Sequence, residues 1–341
     1  MAVSMILLVL IGFSLLCLET SGSLGVCYGG SGNADNLPNE VETVKLYQTF
    51  GIEKMRIYAP YTQILQALRN SGIQLIVGVP NDILKTLATD HSAAANWVQT
   101  NIKDYASDVE FRYIAVGNEV KPEASDQAPY VLPAMQNIHS EIVSAALHDR
   151  IKVSTAVDTN LLAVFDPPSA GEFSKGARHF IEHIICFLER ANSPLLANIY
   201  PYFRVKYNGQ RASYALFTEK EVTVRDQNGL EYRNLFDALL DALYSGLEKL
   251  NSRDLEIVVA ESGWPSAGGD GEVETTENAG VYYRNLVDHV KGGTPKKPGS
   301  ALETFLFSMF DENKRHGDQI EKHFGLFFPN KQLKYDNITF K

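Results

Sequence analysis

Cysteine is scarce in this chain: three residues in 341, and one of them, Cys17, lies in an N-terminal apolar run. The two that remain, Cys27 and Cys186, exclude a disulfide framework, and a chain of this length buries enough apolar surface to do without one. Cys27 falls in Leu24-Gly-Val-Cys-Tyr28, which predicts a buried free thiol on a core strand. Positive charge is also short, with 31 Lys and Arg against 41 Asp and Glu, a net charge of -10. That balance argues against nucleic acid or an anionic membrane surface as partner and is compatible with a neutral one. Beyond Leu18 no segment is long and apolar enough to span a bilayer. The glycines of Gly29-Gly-Ser-Gly32 lack the GxGxxG spacing of a dinucleotide phosphate cradle. No repeat, linker or low-complexity segment divides the chain.

What is present begins with Met5 to Leu18, an almost unbroken apolar run followed by the small residues of Thr20-Ser-Gly-Ser23. The run is shorter than the ~20 residues that cross a bilayer, so residues 1–23 are expected to be a cleaved signal peptide, although no Lys or Arg precedes the run. Residues 24–341 are then expected to be one secreted domain, with a single glycosylation sequon at Asn337-Ile-Thr339.

Along those residues, strand-like apolar runs alternate with amphipathic stretches. The runs stand at Gly25–Tyr28, Lys54–Tyr58, Gln74–Val79, Tyr113–Gly117, Lys152–Ala156, Leu196–Tyr200, Glu256–Ala260 and Thr304–Phe310. Helical patterns between them include Glu40–Phe50, Thr62–Asn70, Leu132–Ala146, Ser174–Arg190, Leu235–Leu250 and Asn278–Lys291. In Leu235–Leu250 the leucines recur at three- and four-residue spacing, one apolar face of a helix. Eight alternations predict an α/β fold, a (β/α)8 TIM barrel, over the alternative of an open doubly wound sheet. Between Phe203 and Arg233 the alternation is interrupted. There Tyr214–Phe217 and Val222–Val224, with Asp226-Gln-Asn-Gly229 as a turn signal, predict a small hairpin inserted after the sixth strand.

Two of the runs end in a carboxylate: Ile114-Ala-Val-Gly-Asn-Glu-Val120 at Glu119, and Ile257-Val-Val-Ala-Glu-Ser-Gly-Trp-Pro265 at Glu261. An ionised Glu at the edge of a core is costly unless it has a partner or a task. On a barrel both sit at the C-terminal face, where active sites lie. Two carboxylates delivered from different strand ends are what glycosidic-bond hydrolysis requires, one as acid and then base, the other as nucleophile. Asn118 beside the first can hydrogen-bond a sugar 2-hydroxyl. The competing reading of each Glu is a structural carboxylate held by a neighbouring Arg or backbone amide. Aromatic residues gather near the same strand ends: Tyr58, Tyr200, Tyr202, Phe203, Trp264 and Phe310. Flat rings with polar tips suit the apolar faces of sugars, although rings there can equally cover the core, as is expected first for Phe203 and Phe310.

In order along the chain stand Gly25-Val-Cys-Tyr-Gly29, Met55-Arg-Ile-Tyr58, Gly78-Val-Pro-Asn-Asp82, Ala115-Val-Gly-Asn-Glu-Val120, Ala197-Asn-Ile-Tyr-Pro-Tyr-Phe203, Val259-Ala-Glu-Ser-Gly-Trp-Pro-Ser266, Met309-Phe-Asp-Glu-Asn313 and Lys322-His-Phe-Gly-Leu-Phe327. On these motifs, residues 24–341 resemble the plant β-1,3-glucanases of glycoside hydrolase family 17. The resemblance implies a (β/α)8 barrel, retaining endo-hydrolysis of β-1,3-glucan and no metal or organic cofactor. It implies Glu119 as proton donor, Glu261 as nucleophile, and substrate contact for Tyr58, Tyr200 and Trp264. It also implies a supporting cluster of Glu312, Arg315 and Glu321, with Arg315 standing where a Lys is usual. Tyr61 stands where an Asn or Asp often follows the motif Tyr58-Ala-Pro60.

The chemistry requires Glu119 to be protonated at rest and Glu261 to be ionised, with donors or positive charge near Glu261 from Glu312–Arg315 and the adjoining loop. The acidic charge, by the same resemblance, places the protein in the cell wall or apoplast rather than the vacuole, with β-glucan polysaccharide as its partner; the sequence carries no oligomer signal, so a monomer is the default expectation. Mixed-linkage β-1,3-1,4-glucan is the alternative substrate, and a catalytically idle glucan-binding barrel the alternative from another class. His179-Phe-Ile-Glu-His183 fits the H-x-x-E-H zinc-peptidase pattern, but no third ligand can be placed, and two surface His on a barrel helix explain it.

Overall fold

Eight parallel strands close on themselves in the computed structural model, which describes residues 24–340; the expected signal segment, with Cys17, lies outside the described residues. They are β1 (Leu24–Tyr28), β2 (Lys54–Ile57), β3 (Gln74–Val79), β4 (Glu110–Asn118), β5 (Lys152–Asp158), β6 (Leu195–Asn198), β7 (Ile257–Ser262) and β8 (Thr304–Leu306). The register Leu24↔Thr304 joins β1 to β8 and closes the barrel. Both faces of each strand are covered, by side chains inside and helices outside, which is why the runs are continuously rather than alternately apolar. This is the predicted (β/α)8 barrel.

The helix Glu40–Phe50 takes its bounds from local chemistry. The side chain of Asn39 accepts from the Glu42 amide at its start, and Gly51 ends it at φ 68. Two helices that the periodicity does not predict, Leu84–Thr89 and His91–Val98, lie between β3 and β4, separated by Asp90, which caps the second. The helix Leu235–Lys249 is buried all round from Leu235 to Leu247, not on one face only. Its outer side is covered by a loop that approaches so closely that a Cβ on Gly171 would lie 2.1 Å from the Ala242 carbonyl oxygen. The ribbon Leu162–Val164 with Glu172–Phe173 borders that loop.

The insertion after β6 differs from the expectation. A helix, Pro201–Asn208, follows the strand at once, with Pro at its first position, and a helical turn occupies Ala212–Ala215. The expected pairing of Tyr214–Phe217 with Val222–Val224 does not form, because Tyr214, Ala215 and Leu216 turn inward as core residues. The antiparallel ribbon instead joins Val224–Arg225 to Glu231–Tyr232 around the Asp226–Gly229 turn. The eighth run also leaves the ladder early: β8 ends at Leu306, and the Met309 amide donates to the Cys27 carbonyl at 2.8 Å. Cys27 is a buried free thiol that burial pushes well up; Cys186 is free and exposed.

Candidate active site

Glu119 and Glu261 reach the C-terminal mouth of the barrel by bulges in their strands. In β4 the register against β5 shifts between Ala115 and Asn118, where Gly117 has φ 79 and Glu119 itself φ 49. A left-handed Glu costs on the order of 1 kcal/mol, the kind of local strain that gathers at functional positions. The turn is held because the Glu119 amide donates to the Ala156 carbonyl at 2.9 Å and the Asn81 side chain bonds both the amide and carbonyl of Asn118, at 2.8 and 2.9 Å. In β7 the register against β6 shifts between Val259 and Glu261, and the Glu261 carbonyl accepts from the Ile199 amide at 2.8 Å.

The two carboxyls live in different surroundings. Glu261 is 5 % exposed. Its Oε1 accepts from Tyr58 Oη at 2.8 Å and lies 3.0 Å from Arg56 Nη1, while Oε2 accepts from Tyr200 Oη at 2.7 Å. Burial foremost, with Cys27 and then the Glu261 charge after it at Tyr58 and the Glu261 charge next at Tyr200, holds both phenols well above the ordinary tyrosine range, so both stay donors. Glu119 Oε1 accepts one bond, from Asn198 Nδ2 at 2.7 Å. Burial first, then the charges of Glu261 and Asp158, push Glu119 up to about 7, against the smaller opposing pull of Asn198 and Arg56. At neutral pH one carboxyl is poised to give a proton, and the other sits among donors that hold an anion.

Arg56 connects them. It is 1 % exposed. Its Nη1 donates to Asn198 Oδ1 and to the Ala260 carbonyl, both at 2.9 Å, and its Nη2 to Asn118 Oδ1 at 2.7 Å. The amide oxygen of Asn118 thus serves Arg56, and Asn198 Nδ2 as well at 3.2 Å. Among the described residues Asn118 Nδ2 has no acceptor, so it remains the arm free for a ligand hydroxyl. Sequence reasoning gave no role to Arg56 or Asn198. A signal existed: Lys54 and Arg56 are charges at i and i+2 in a strand with burial on every residue, so both face the barrel interior. Lys54 meets Glu303 there at 2.6 Å.

The expected cluster from the eighth strand's loop is assembled, and the Glu261 charge acts on Arg315, although the two are not in direct contact. Arg315 Nη1 lies 3.0 Å from Glu312 Oε2 and its Nε 3.4 Å from Glu321 Oε2, and its guanidinium sits 4.6 Å over the Phe307 ring. No ion pair joins Arg315 to Glu261; Arg56 takes that place because the interior of β2 is the nearer source of a rigid fork. Burial raises Glu312 and Glu321, and Arg315 opposes the rise in both. Glu312 packs so tightly on Gly29 that a Cβ there would lie 2.0 Å from its Oε1.

The aromatic expectations divide. Tyr58 and Tyr200 form the floor around Glu261, and Phe203 lines the cleft, where it stacks on Tyr207 with centroids 6.1 Å apart and planes 10° off parallel. Trp264, Tyr202 and Phe310 do not reach it. Trp264 is fully buried, its Nε1 donating to the Val273 carbonyl at 3.0 Å. Tyr202 is buried with its hydroxyl 2.5 Å from Glu274, and Phe310 packs edge-on to Tyr28 and Phe327. His179 and His183 are exposed on the helix Lys175–Ala191, away from the cleft lining, with His183 Nδ1 3.3 Å from its own helix's His179 carbonyl.

Two hollows flank the carboxyls. One, about 380 Å³, is lined by Glu119, Asp158, Asn198, Phe203, Arg204 and Tyr207 among others. The other, about 460 Å³, is lined by Asn33, Tyr58, Tyr61, Asn81, Asn118 and Arg315 among others. Together they make an open, polar-rimmed groove across the barrel mouth, a shape suited to the middle of a polymer.

Known proteins share this chain's pattern. Residues 24–340 match the model of the glycosyl hydrolases family 17. A glucan endo-1,3-beta-glucosidase of Vitis vinifera is 54% identical over 336 residues, covering 97% of this chain and 96% of that one. The acidic isoform GI9 of glucan endo-1,3-beta-glucosidase from Nicotiana tabacum is 50% identical, covering 96% and 95%. A solved chain from a study of two plant beta-glucan endohydrolases with distinct substrate specificities superposes with a TM-score of 0.86 at 45% identity, covering 91% of this chain and 98% of that one.

Proposed function

The chain belongs to glycosyl hydrolase family 17, and from that premise we propose that it is a secreted, retaining endo-1,3-β-glucanase in which Glu119 is the acid and base and Glu261 the nucleophile. The observation that carries the assignment of roles is the contrast between the two carboxyls: one raised to about 7, the other ringed by Arg56, Tyr58 and Tyr200.

The glucosyl unit to be cleaved sits between the hollows, its 2-hydroxyl accepting from Asn118 Nδ2. That bond strengthens as the sugar gains oxocarbenium character. Glu119 gives its proton to the departing glycosidic oxygen while a carboxylate oxygen of Glu261 bonds the anomeric carbon. The glycosidic C–O bond breaks, and the aglycone leaves with its new hydroxyl. Glu119, now an anion, takes a proton from water, whose oxygen displaces Glu261 and restores the original configuration. Because the acid's neighbour Asn118 lines the larger hollow, that side takes the glycone, and the hollow beside Glu119, Phe203 and Tyr207 takes the leaving chain.

The acidic charge and the N-terminal apolar run support export to the cell wall, with the protein acting as a monomer on polysaccharide. Product analysis on laminarin and on mixed-linkage barley glucan tests the substrate: short oligosaccharides from laminarin alone are expected. Preferential cleavage of the barley polymer would keep the mechanism and change the linkage. Binding to laminarin without any cleavage would leave an idle glucan-binding barrel.

The raised Glu119 also fixes a pH limb. kcat/KM on laminarin is expected to fall as pH rises through about 7, when the acid loses its proton. The same shift costs stability: the folded state keeps this proton to higher pH than the unfolded chain, so stability falls from about pH 4.5 up to about pH 7. Glu119→Gln, which cannot ionise, should therefore be inactive yet unfold at higher temperature than the wild type at pH 8. Equal or lower melting temperature at that pH contradicts the burial argument.

A further inference from the structure

We propose that Tyr61 is a sugar platform at the outer end of the glycone hollow, binding the third glucosyl unit from the scissile bond. The proposal deepens the endo-glucanase reading and rests on it.

Tyr61 is a misfit by local criteria. It occupies the N-cap of the short helix Thr62–Ala67, a position that favours Ser, Thr, Asn or Asp, and its side chain makes no cap bond. It is also 47 % exposed, one of six large apolar residues among the described ones that stand in solvent. Of those six, Val41, Val143, Val164 and Phe328 lie outside the groove; Tyr61 and Tyr207 are in it, one in each hollow. A cap given up and an aromatic left in water are both small costs, and they coincide at the rim of the site.

The ring is held in place. Gly30, at φ 88, lies beneath it, and a Cβ on that residue would come within 3.0 Å of the ring's Cε2, so the ring rests on bare backbone. The backbone of Tyr61 is fixed in turn by its amide, which donates to the Ala59 carbonyl at 2.9 Å. The same hollow is lined by the polar side chains of Asn33, Asn81, Arg315 and His316, which can meet the hydroxyls of a pyranose while the ring takes its C–H face. The neighbours define the ligand chemistry: a neutral, polyhydroxylated ring with one apolar face, attached to a chain that continues inward past Asn118.

A ring on which one distal unit stacks affects long substrates and leaves short ones alone. The test uses β-1,3-gluco-oligosaccharides of three to seven units, labelled at the reducing end, with wild type, Tyr61→Ala and Tyr61→Phe. Tyr61→Ala is expected to keep kcat/KM on the trimer within about twofold and to lose roughly tenfold on the hexamer and heptamer, the order of a stacking contact. Cleavage should move toward the non-reducing end, because fewer units are held on the glycone side. Tyr61→Phe, which keeps the ring, should restore both. Loss of equal size at every length, no loss at any length, or a Tyr61→Phe variant as impaired as Tyr61→Ala overturns the proposal. Affinity electrophoresis through laminarin gels needs no turnover and separates this failure from failure of the enzymatic reading. Weaker retardation of Tyr61→Ala than of wild type supports the platform even with no hydrolysis, and equal retardation overturns it.

Discussion

Glu261→Ala is expected to lower kcat/KM on laminarin by about 10⁴-fold or more, the scale on which removal of a covalent nucleophile acts. Azide then distinguishes the two carboxyls. With Glu261 shortened to Ala, azide can enter from the vacated face and displace the aglycone in one inversion, giving an α-glycosyl azide. With Glu119→Ala, the covalent intermediate still forms on substrates with good leaving groups, and azide displaces Glu261 to give the β-glycosyl azide. Azide products of the opposite configuration would exchange the assigned roles. No rescue in either variant, with both proteins folded, would remove the double-displacement mechanism.

Arg56→Met is the second large effect. Arg56 is buried and serves four acceptors at once: Glu261, Asn198, Asn118 and the Ala260 carbonyl. Taking away one partner of a buried charge pair costs about 3–5 kcal/mol, since the other charge is left unpaired. Thermal unfolding at neutral pH should register that loss. Activity should fall by about 10³-fold, because Asn118 loses the bond that aims its Nδ2 and Asn198 the bond that aims it at Glu119. Arg56→Lys keeps a charge but not the fork, so it should recover stability better than activity. Wild-type activity in either variant would refute the role of Arg56 as the connector of the two carboxyls.

Much of the barrel was legible because its strands are buried on both faces and so read as runs, as β3 does from Gln74 to Val79. What escaped was short or locally stabilised. Leu84–Thr89 and His91–Val98 are each too brief for a clear period and depend on the Asp90 cap, and Tyr214 turns inward as part of a helical turn where its residue type argued for a strand. The run at Phe307–Phe310 stays apolar after the ladder ends, since burial and strand pairing are separate requirements.

The site was legible where a charge interrupts an apolar run, which is how Glu119 and Glu261 stand out. Arg56 was harder to see, because two charges, Lys54 and Arg56, in a four-residue strand resemble tolerance at an edge unless the inward face of the strand is known. The aromatics show the opposite failure. Tyr200 and Tyr202 are two residues apart, yet one donates to Glu261 and the other to Glu274 beneath the loop after β7, a choice made by the Pro201 helix start. Trp264 was drawn toward the substrate by its neighbours in sequence, while its indole is needed to hold the Val273 carbonyl.

The most direct measurement is mass spectrometry of the protein after incubation with a 2-deoxy-2-fluoro-laminaribiosyl fluoride, whose fluorine slows breakdown of a covalent intermediate. The account predicts one glycosyl adduct, located by peptide mapping on Glu261 and absent from Glu261→Ala. An adduct on Glu119, or turnover that releases the α-anomer first with no adduct at all, would contradict it.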